Sequence, residues 1–300
     1  MKVLIVGGSG LIGGHAALHL QAEGHEVTIM SRSKPEQGPL AELPHLAGSY
    51  IDEPDNSDRL NGFDAMVFSA AADIRNVPQD GSETPEAVYQ RCNNEAVPRF
   101  FELAKRAGIV RAVYIGSFYP TVVPERIETD IYVRSRHITD EAVRALASDD
   151  FAVCSLNAPF VLGHVPGLTI DYLYGMVAYA SGQIEGAPIF APEGGTNHIS
   201  VKSLSEAIEG ALLRGVSGRA YLVGDENLSW KQYLEIWFEA CGNPQDLPVL
   251  GDEHPLFPDV IMFAGRGAEV KFEPEGVESL VYSQQRVTET IHEIVENYKA

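Results

Sequence analysis

The stretch "GGSGLIGG", residues 7–14, directly follows "KVLIV", and its glycines stand where a backbone loop can receive a pyrophosphate. Gly8, Gly10 and Gly13 fit G-x-G-x-x-G, whereas Gly7, Gly10 and Gly13 fit G-x-x-G-x-x-G, and the glycines alone do not choose between the two. In either register one glycine turns with positive φ, one leaves no Cβ in the way of the phosphates, and one lets helix and strand pack closely. The helix that follows then presents the N–H groups of its first turn, from Leu11 and Ile12 onward, together with the positive end of its dipole. No Gly-Lys-Ser/Thr follows, which excludes a P-loop. At the end of the second apolar run, "IMSRSKP", an NAD site would carry a carboxylate; here Ser31 stands, with Arg32 and Lys34 after it. Cations suit the 2′-phosphate of NADP, with Arg32 able to stack on adenine and fork onto phosphate. NADP(H) is therefore the preferred cofactor and NAD(H) the other candidate; two solvated loop charges is the bland reading of the pair. His15 and His19 share a helix face and could formally meet zinc, yet no third ligand is spaced to join them.

The elements that must position these residues follow from periodicity. "KVLIV" is a continuous apolar run ending in glycines, as expected of a strand buried on both faces. "LIGGHAALHLQAEG" predicts a helix stopped by Gly24, and "HEVTIM" a second strand that completes a β-α-β unit. "FDAMVFSAAA" predicts a strand running into a small-residue turn, "EAVPRFFELAKRAG" a helix, and "VRAVYIGS" a strand. "YVRSRHITDEAVRALA" predicts a long helix, and "FAVCSLNAPFVLG" a strand ending in a loop. Such alternation implies a parallel sheet covered on both faces, a Rossmann-type doubly wound α/β fold, over residues 1–163. Residues 164–300 then read as a smaller, mostly C-terminal substrate lobe, with 196–225 returning to the first domain. Within that lobe "LSEAIEGALLRG", "SWKQYLEIWFEACG" and "YSQQRVTETIHEIVENYKA" predict helices, and Trp230 and Trp237, seven apart, predict core packing.

Composition narrows the partners. Among 300 residues, 42 acidic against 22 basic side chains give a net charge of −20, which argues against a grip on nucleic acid or an anionic membrane. Three scattered cysteines, Cys92, Cys154 and Cys241, form no C-x-x-C and suggest a reducing compartment. No apolar run approaches the ~18 residues of a membrane helix, and "MKVLIVGG" lacks the pattern of a signal peptide, so a cytoplasmic location is expected.

In this order the motifs resemble the extended short-chain dehydrogenase/reductases, the NAD(P)-dependent epimerase/dehydratase-like group, over most of the first 225 residues. "GGSGLIGGH" resembles the first-strand turn of that family, its histidine included. "DAMVFSAAA" resembles the strand whose small-residue end, Ser69, Ala70 and Ala71, passes beside the cofactor. "NNEAVPRFFELAKRAG" resembles the helix opened by a structural asparagine, Asn93 by spacing. "VYIGS" resembles the strand ending in the catalytic hydroxyl, which puts that role on Ser117, and "YVRSR" the Tyr-x-x-x-Lys element, which puts the catalytic tyrosine at Tyr132. "NAPFVLG" resembles the loop beside the nicotinamide, implicating Pro159 and Phe160, and "NHISVKSLSEAI" a later strand and helix. The company these glycines keep selects the Gly7, Gly10, Gly13 register and leaves Gly8 a permissive neighbour. The family also implies a homodimer through the helices carrying Asn93 and Tyr132.

The chemistry so implied is hydride transfer at the nicotinamide with proton transfer through Tyr132. A free phenol, with a pKa of ~10, is a poor base at neutral pH, and a fixed cation one helical turn away helps it. Two departures stand out. Arg136 occupies the position of the family's lysine, keeping the charge but not an ammonium's contacts. Tyr132 follows Ser117 by only 15 positions, which trims the rim of the site. Residues 164–200, the substrate-covering region in the family, hold no Lys or Arg but do hold Leu168, Ile170, Tyr172, Leu173, Tyr174, Met176 and Tyr179. A buried diphosphate needs cationic partners, Asn157 stands where many relatives have arginine, and "SFYP" replaces the dehydratase Asp-Glu after the hydroxyl. The expected activity is interconversion of a ketone or aldehyde and its alcohol on an uncharged, fairly apolar small molecule. A nucleotide-sugar epimerase, with Arg266 or Arg286 reaching in, and a non-catalytic NADP-binding regulator or assembly protein are the alternatives.

Overall fold

Alternation within each strand decides which side of the sheet a residue serves. The computed structural model describes residues 1–55 and 58–299. In β1 (Lys2–Val6), Val3 and Ile5 enter one core and Leu4 and Val6 the other, as a strand covered on both faces requires. The same split recurs in β4 (Ala65–Phe68), with Ala65 and Val67 against Met66 and Phe68, and in β5 (Arg111–Ser117), with Val113 and Ile115 against Ala112 and Tyr114. With β2 (Glu26–Ser31), β3 (His45–Ala47), β6 (Ala152–Ala158) and β10 (Ala220–Leu222) they form a seven-stranded sheet in the order β10-β6-β5-β4-β1-β2-β3. Every pair in it is parallel. This is a Rossmann-type, doubly wound α/β fold. The strand order reverses between β1 and β4, so the crevice at their carboxyl ends is the topological switch point at which such sheets take ligands.

Two helical layers seal the sheet. On one face α1 (Leu11–Ala22) supplies Ala16, Ala17 and Leu20, and α8 (Val201–Arg214) supplies Leu204, Ile208 and Leu212. On the other lie α3 (Ala96–Arg106), through Val97, Phe100, Phe101 and Ala104, and α6 (Ile131–Arg144), through Val143. Helix α6 starts where it does because Asp130 Oδ1 accepts from Val133 N at 2.9 Å, capping its first turn. Before α3 the chain forms α2 (Pro85–Tyr89) and a π-helical turn, Gln90–Glu95. Two single turns, α4 (Tyr119–Val122) and α5 (Arg126–Thr129), link β5 to α6.

Pro159, without an N–H, separates β6 from β7 (Phe160–Leu162), which leaves the large sheet for a small one. There β9 (Gly195–Ser200) pairs with β7 in parallel and with β11 (Glu226–Ser229) antiparallel, while β8 (Ala191–Pro192) pairs with β12 (Val249–Leu250). Helices α7 (Asp171–Ala180), α9 (Trp230–Ala240) and α10 (Val287–Lys299) enclose a third core that includes Leu173, Met176, Trp230, Trp237, Phe238 and Ile291. The last helix begins at Val287 rather than at Tyr282, because its entrance is capped from elsewhere: Asp225 accepts from Gln285 N and Arg286 N, and Glu226 Oε1 from Val287 N at 2.9 Å. Among the described residues no helix is long and apolar enough to cross a membrane.

Candidate active site

The glycine turn is built by backbone contacts. Gly7 has φ +84°, and the N–H groups of Gly7 and Gly8 both donate to Met30 O, at 2.9 and 3.4 Å. A Cβ on Gly13 would lie 2.4 Å from Gly7 O and 2.6 Å from Ser69 Oγ, so this position is glycine because helix and turn touch. A Cβ on Gly10 would meet nothing nearer than Gly7 O at 3.5 Å, an ordinary contact, so the protein itself leaves room there. One residue departs from expectation. Gly8 is not permissive: a Cβ would fall 2.5 Å from Ile29 Cβ on the neighbouring strand. Gly10 caps α1 without a side chain and no acidic residue stands in the first turn, so the N–H groups from Leu11 and Ile12 onward meet no competing carboxylate. This cradle fits an anionic pyrophosphate.

Across the crevice Ser69 fastens β4 to β1, its N–H and its hydroxyl both donating to Val6 O at 2.9 and 3.0 Å. Ala70 and Ala71 follow, half-buried. Asn93 is fully buried at the π-turn, where Oδ1 accepts from Ala72 N at 2.8 Å and Nδ2 donates to Ala72 O at 3.0 Å. One amide side chain thus pairs with both backbone groups of the residue that ends the turn after β4. Asn93→Ala strands both groups in the interior and is expected to cost about 1–3 kcal/mol, read as a lowered midpoint in urea unfolding. An unchanged midpoint would deny the clamp.

Arg32 and Lys34 are exposed, and neither side chain forms a hydrogen bond or ion pair among the described residues. Ser31 turns its hydroxyl to Ser33 O at 2.8 Å and lies 3.0 Å from His45 Nε2.

Ser117 closes β5, nearly buried, and Tyr132 lies in the first turn of α6. Neither hydroxyl has a hydrogen-bond partner among the described residues. The Tyr132 ring stacks on Phe263 at 4.1 Å and 18°, and meets Tyr89 edge-on at 5.8 Å. Arg136, four residues on, lies beneath it: its guanidinium carbon is 5.9 Å from the Tyr132 ring centroid and 5.5 Å from that of Tyr114. Nη2 donates to Ile115 O at 2.8 Å, Nε has no partner, and the residue is 6% exposed. No carboxylate forms an ion pair with this cation among the described residues; two ring faces, one carbonyl and the more distant charges of Asp140 and Asp73 offset its desolvation.

Phe160 lies not in an isolated loop but at the start of β7, edge-on to Phe118 at 6.3 Å and to Trp230 at 5.4 Å. Pro159 precedes it, buried. The cationic reach that the epimerase alternative would need is not offered by Arg266, whose guanidinium is held by Asp259, with Nε to Oδ1 at 2.8 Å. Arg286 lies beside Asp225. A cation that sequence reasoning missed is Arg75, in the turn after β4. Its Nε donates to Asp73 at 3.0 Å, and that bond raises its pKa, with Tyr172 and Tyr132 acting in the same direction. Only loop geometry brings it there; in sequence the sole signal is Asp-x-Arg. His15 and His19 are engaged by Ser205 Oγ at 2.8 Å and Glu209 Oε2 at 2.9 Å. Among the described residues no group of three His, Cys, Asp or Glu side chains could hold a metal.

A parallel sheet whose first strand opens onto an uncapped glycine turn defines the class of dinucleotide-binding α/β folds. Residues 3–224 match the model of the NAD dependent epimerase/dehydratase family, and the chain belongs to that family. No curated protein matches it. Among solved structures it is similar to gox2253, at 19% identity and a TM-score of 0.80, covering 99% of this chain and 98% of that one. It is similar as well to UDP-glucose 4-epimerase from Stenotrophomonas maltophila, solved with NAD and formylated UDP-arabinopyranose, at 17%, a TM-score of 0.76, and 100% and 98% coverage. UDP-N-acetylglucosamine 4-epimerase from Bacillus cereus aligns at 16%, with a TM-score of 0.74, over all of both chains.

Proposed function

We propose that the protein is an NADP(H)-dependent oxidoreductase that interconverts a ketone or aldehyde and its alcohol on an uncharged, fairly apolar small molecule. The observation that carries this reading is the enclosure of Tyr132 by Phe263 and Tyr89 and, one ring further, by Tyr119. A nucleotide diphosphate would bring two charges into that aromatic setting, where each needs a partner. Gly7, Gly10 and Gly13, with the N–H groups of Leu11 and Ile12, would hold the pyrophosphate. Arg32 and Lys34 would hold the 2′-phosphate, and Ser69, Ala70, Ala71, Pro159 and Phe160 would flank the cofactor further in. The nicotinamide, when bound, supplies or accepts the hydride. Tyr132 Oη gives the substrate oxygen its proton in reduction and takes it in oxidation, while Ser117 Oγ donates a hydrogen bond to the same oxygen. Arg136 acts through the ring above it as a positioning residue, its fixed charge stabilising negative charge that develops on Oη.

Following NADPH consumption with a panel of neutral aryl and alicyclic ketones tests the reaction; turnover is expected, and failure with every member overturns the assignment. A second reading, a nucleotide-sugar epimerase, is favoured by the UDP-sugar epimerases among the neighbours and by Arg75 near Tyr132. Conversion of UDP-glucose to UDP-galactose in the presence of NAD+, read by product analysis because epimerisation consumes no net cofactor, would establish it instead. For the cofactor, Arg32→Ala is expected to weaken NADP+ about tenfold or more and NAD+ by less than about twofold, since one charge-assisted bond is lost only with the 2′-phosphate. Equal losses in a binding titration would remove the NADP preference.

A further inference from the structure

Behind the Tyr132–Phe263 stack lies a small cavity of about 10 Å³, lined by Tyr119, Phe160, Thr196, Trp230, Met262 and Val270 among others, none of them charged. Two polar groups that line it are buried and without partners. Thr196 is 3% exposed with Oγ1 unbonded, and Trp230 is 1% exposed with Nε1 unbonded. Next to them His198 stacks on Tyr233 at 4.1 Å; burial, opposed by the backbone of Thr196, pulls its pKa down to about 3 and keeps it neutral. Buried polar groups normally find partners, and a ligand entering an enlarged cavity here would supply them.

The wall between this cavity and Tyr132 is one short segment. Met262 and Ala264 line the cavity, while Phe263 between them covers the Tyr132 ring and meets Tyr119 edge-on at 5.4 Å. The segment is anchored on both sides of Phe263: Arg126 Nη2 donates to Ala264 O at 2.8 Å, Gly195 N to Ala268 O at 3.1 Å, Val270 N to Gly195 O at 2.9 Å, and Arg266 Nε to Asp259 at 2.8 Å, but none of these bonds is made by Phe263 itself. Gly265 and Gly267, at φ +99° and +73°, give its backbone freedom to rearrange. Withdrawal of this wall would uncover Tyr132 and enlarge the cavity in one movement.

We infer that Phe263 occupies the substrate's place over Tyr132, and that its displacement opens a pocket for a neutral, largely apolar carbonyl compound or alcohol with one further oxygen, which Trp230 Nε1 and Thr196 Oγ1 bind. The inference rests on the proposed role of Tyr132 and adds the shape and polarity of what it acts upon. Ligands with that oxygen gain a donor that is otherwise unsatisfied, and charged ligands find no partner in the lining.

Calorimetric titration of the NADP+-loaded protein with 4-methoxyacetophenone and with UDP-glucose tests it. Phe263→Ala is expected to bind the ketone about tenfold more tightly, since the stack no longer competes. Thr196→Val and Trp230→Phe are each expected to bind it about tenfold more weakly, with NADP+ affinity unchanged. Thr196→Val, nearly isosteric, serves if the tryptophan variant does not fold. Unchanged ketone affinity in Phe263→Ala, in Thr196→Val, or tighter binding of UDP-glucose than of the ketone overturns the pocket. Binding is read without turnover, so the two proposals fail separately. The expected affinities without ketone reduction would sink the reaction and spare the pocket; reduction without them would do the reverse.

Discussion

Tyr132→Phe is expected to lower kcat for ketone reduction by about 10²–10⁴, the usual contribution of a positioned general acid or base. The substitution removes one oxygen that has no hydrogen-bond partner among the described residues and keeps the ring on which Phe263 stacks and beneath which Arg136 lies. The fold and the NADP+ affinity are therefore expected to hold while the proton step fails, so the loss falls on kcat more than on KM. Steady-state kinetics beside a thermal melt read both quantities. A variant that keeps the wild-type rate would show that the proton travels elsewhere, and Tyr132 would then be only an aromatic wall.

The second large effect is expected at the glycine turn. Gly13→Ala puts a methyl group 2.4 Å from Gly7 O and 2.6 Å from Ser69 Oγ. Of these, the carbonyl belongs to a turn pinned by Gly7 N and Gly8 N on Met30 O, so it cannot move without unseating the cradle. Displacing the first turn of α1 by a fraction of an ångström misaligns its N–H groups, and NADP+ binding is expected to weaken by about 10²-fold. Overpacking costs about 1–3 kcal/mol of stability besides. Gly10→Ala gives the contrast: the added methyl has room in the free protein, so stability holds while binding falls, because it stands where the phosphates approach. Unaltered NADP+ affinity in both variants would remove the cofactor from this loop.

The parallel sheet and its glycine turn were legible because both depend on local rules: apolar runs without alternation, and glycines bounded by strand and helix. Tyr132 and Arg136 could be put on one helix face from spacing alone. What escaped was set by residues distant in sequence. The constraint on Gly8 comes from Ile29 on another strand, and the delayed start of α10 from carboxylates of Asp225 and Glu226 some sixty positions earlier. Phe263 belongs to a stretch without periodicity, so nothing in its surroundings announced that it would lie on Tyr132. Arg75 reached the vicinity of Tyr132 through a capped turn after β4 that reads only as a small polar loop.

One incubation tests the central claim most directly: wild-type protein with NADPH, NAD+, 4-methoxyacetophenone and UDP-glucose present together, analysed for both products. Mole-for-mole formation of the alcohol as NADPH disappears, with UDP-glucose untouched, is the predicted result. UDP-galactose formed with NADPH and ketone undiminished would contradict it and make the protein a nucleotide-sugar epimerase.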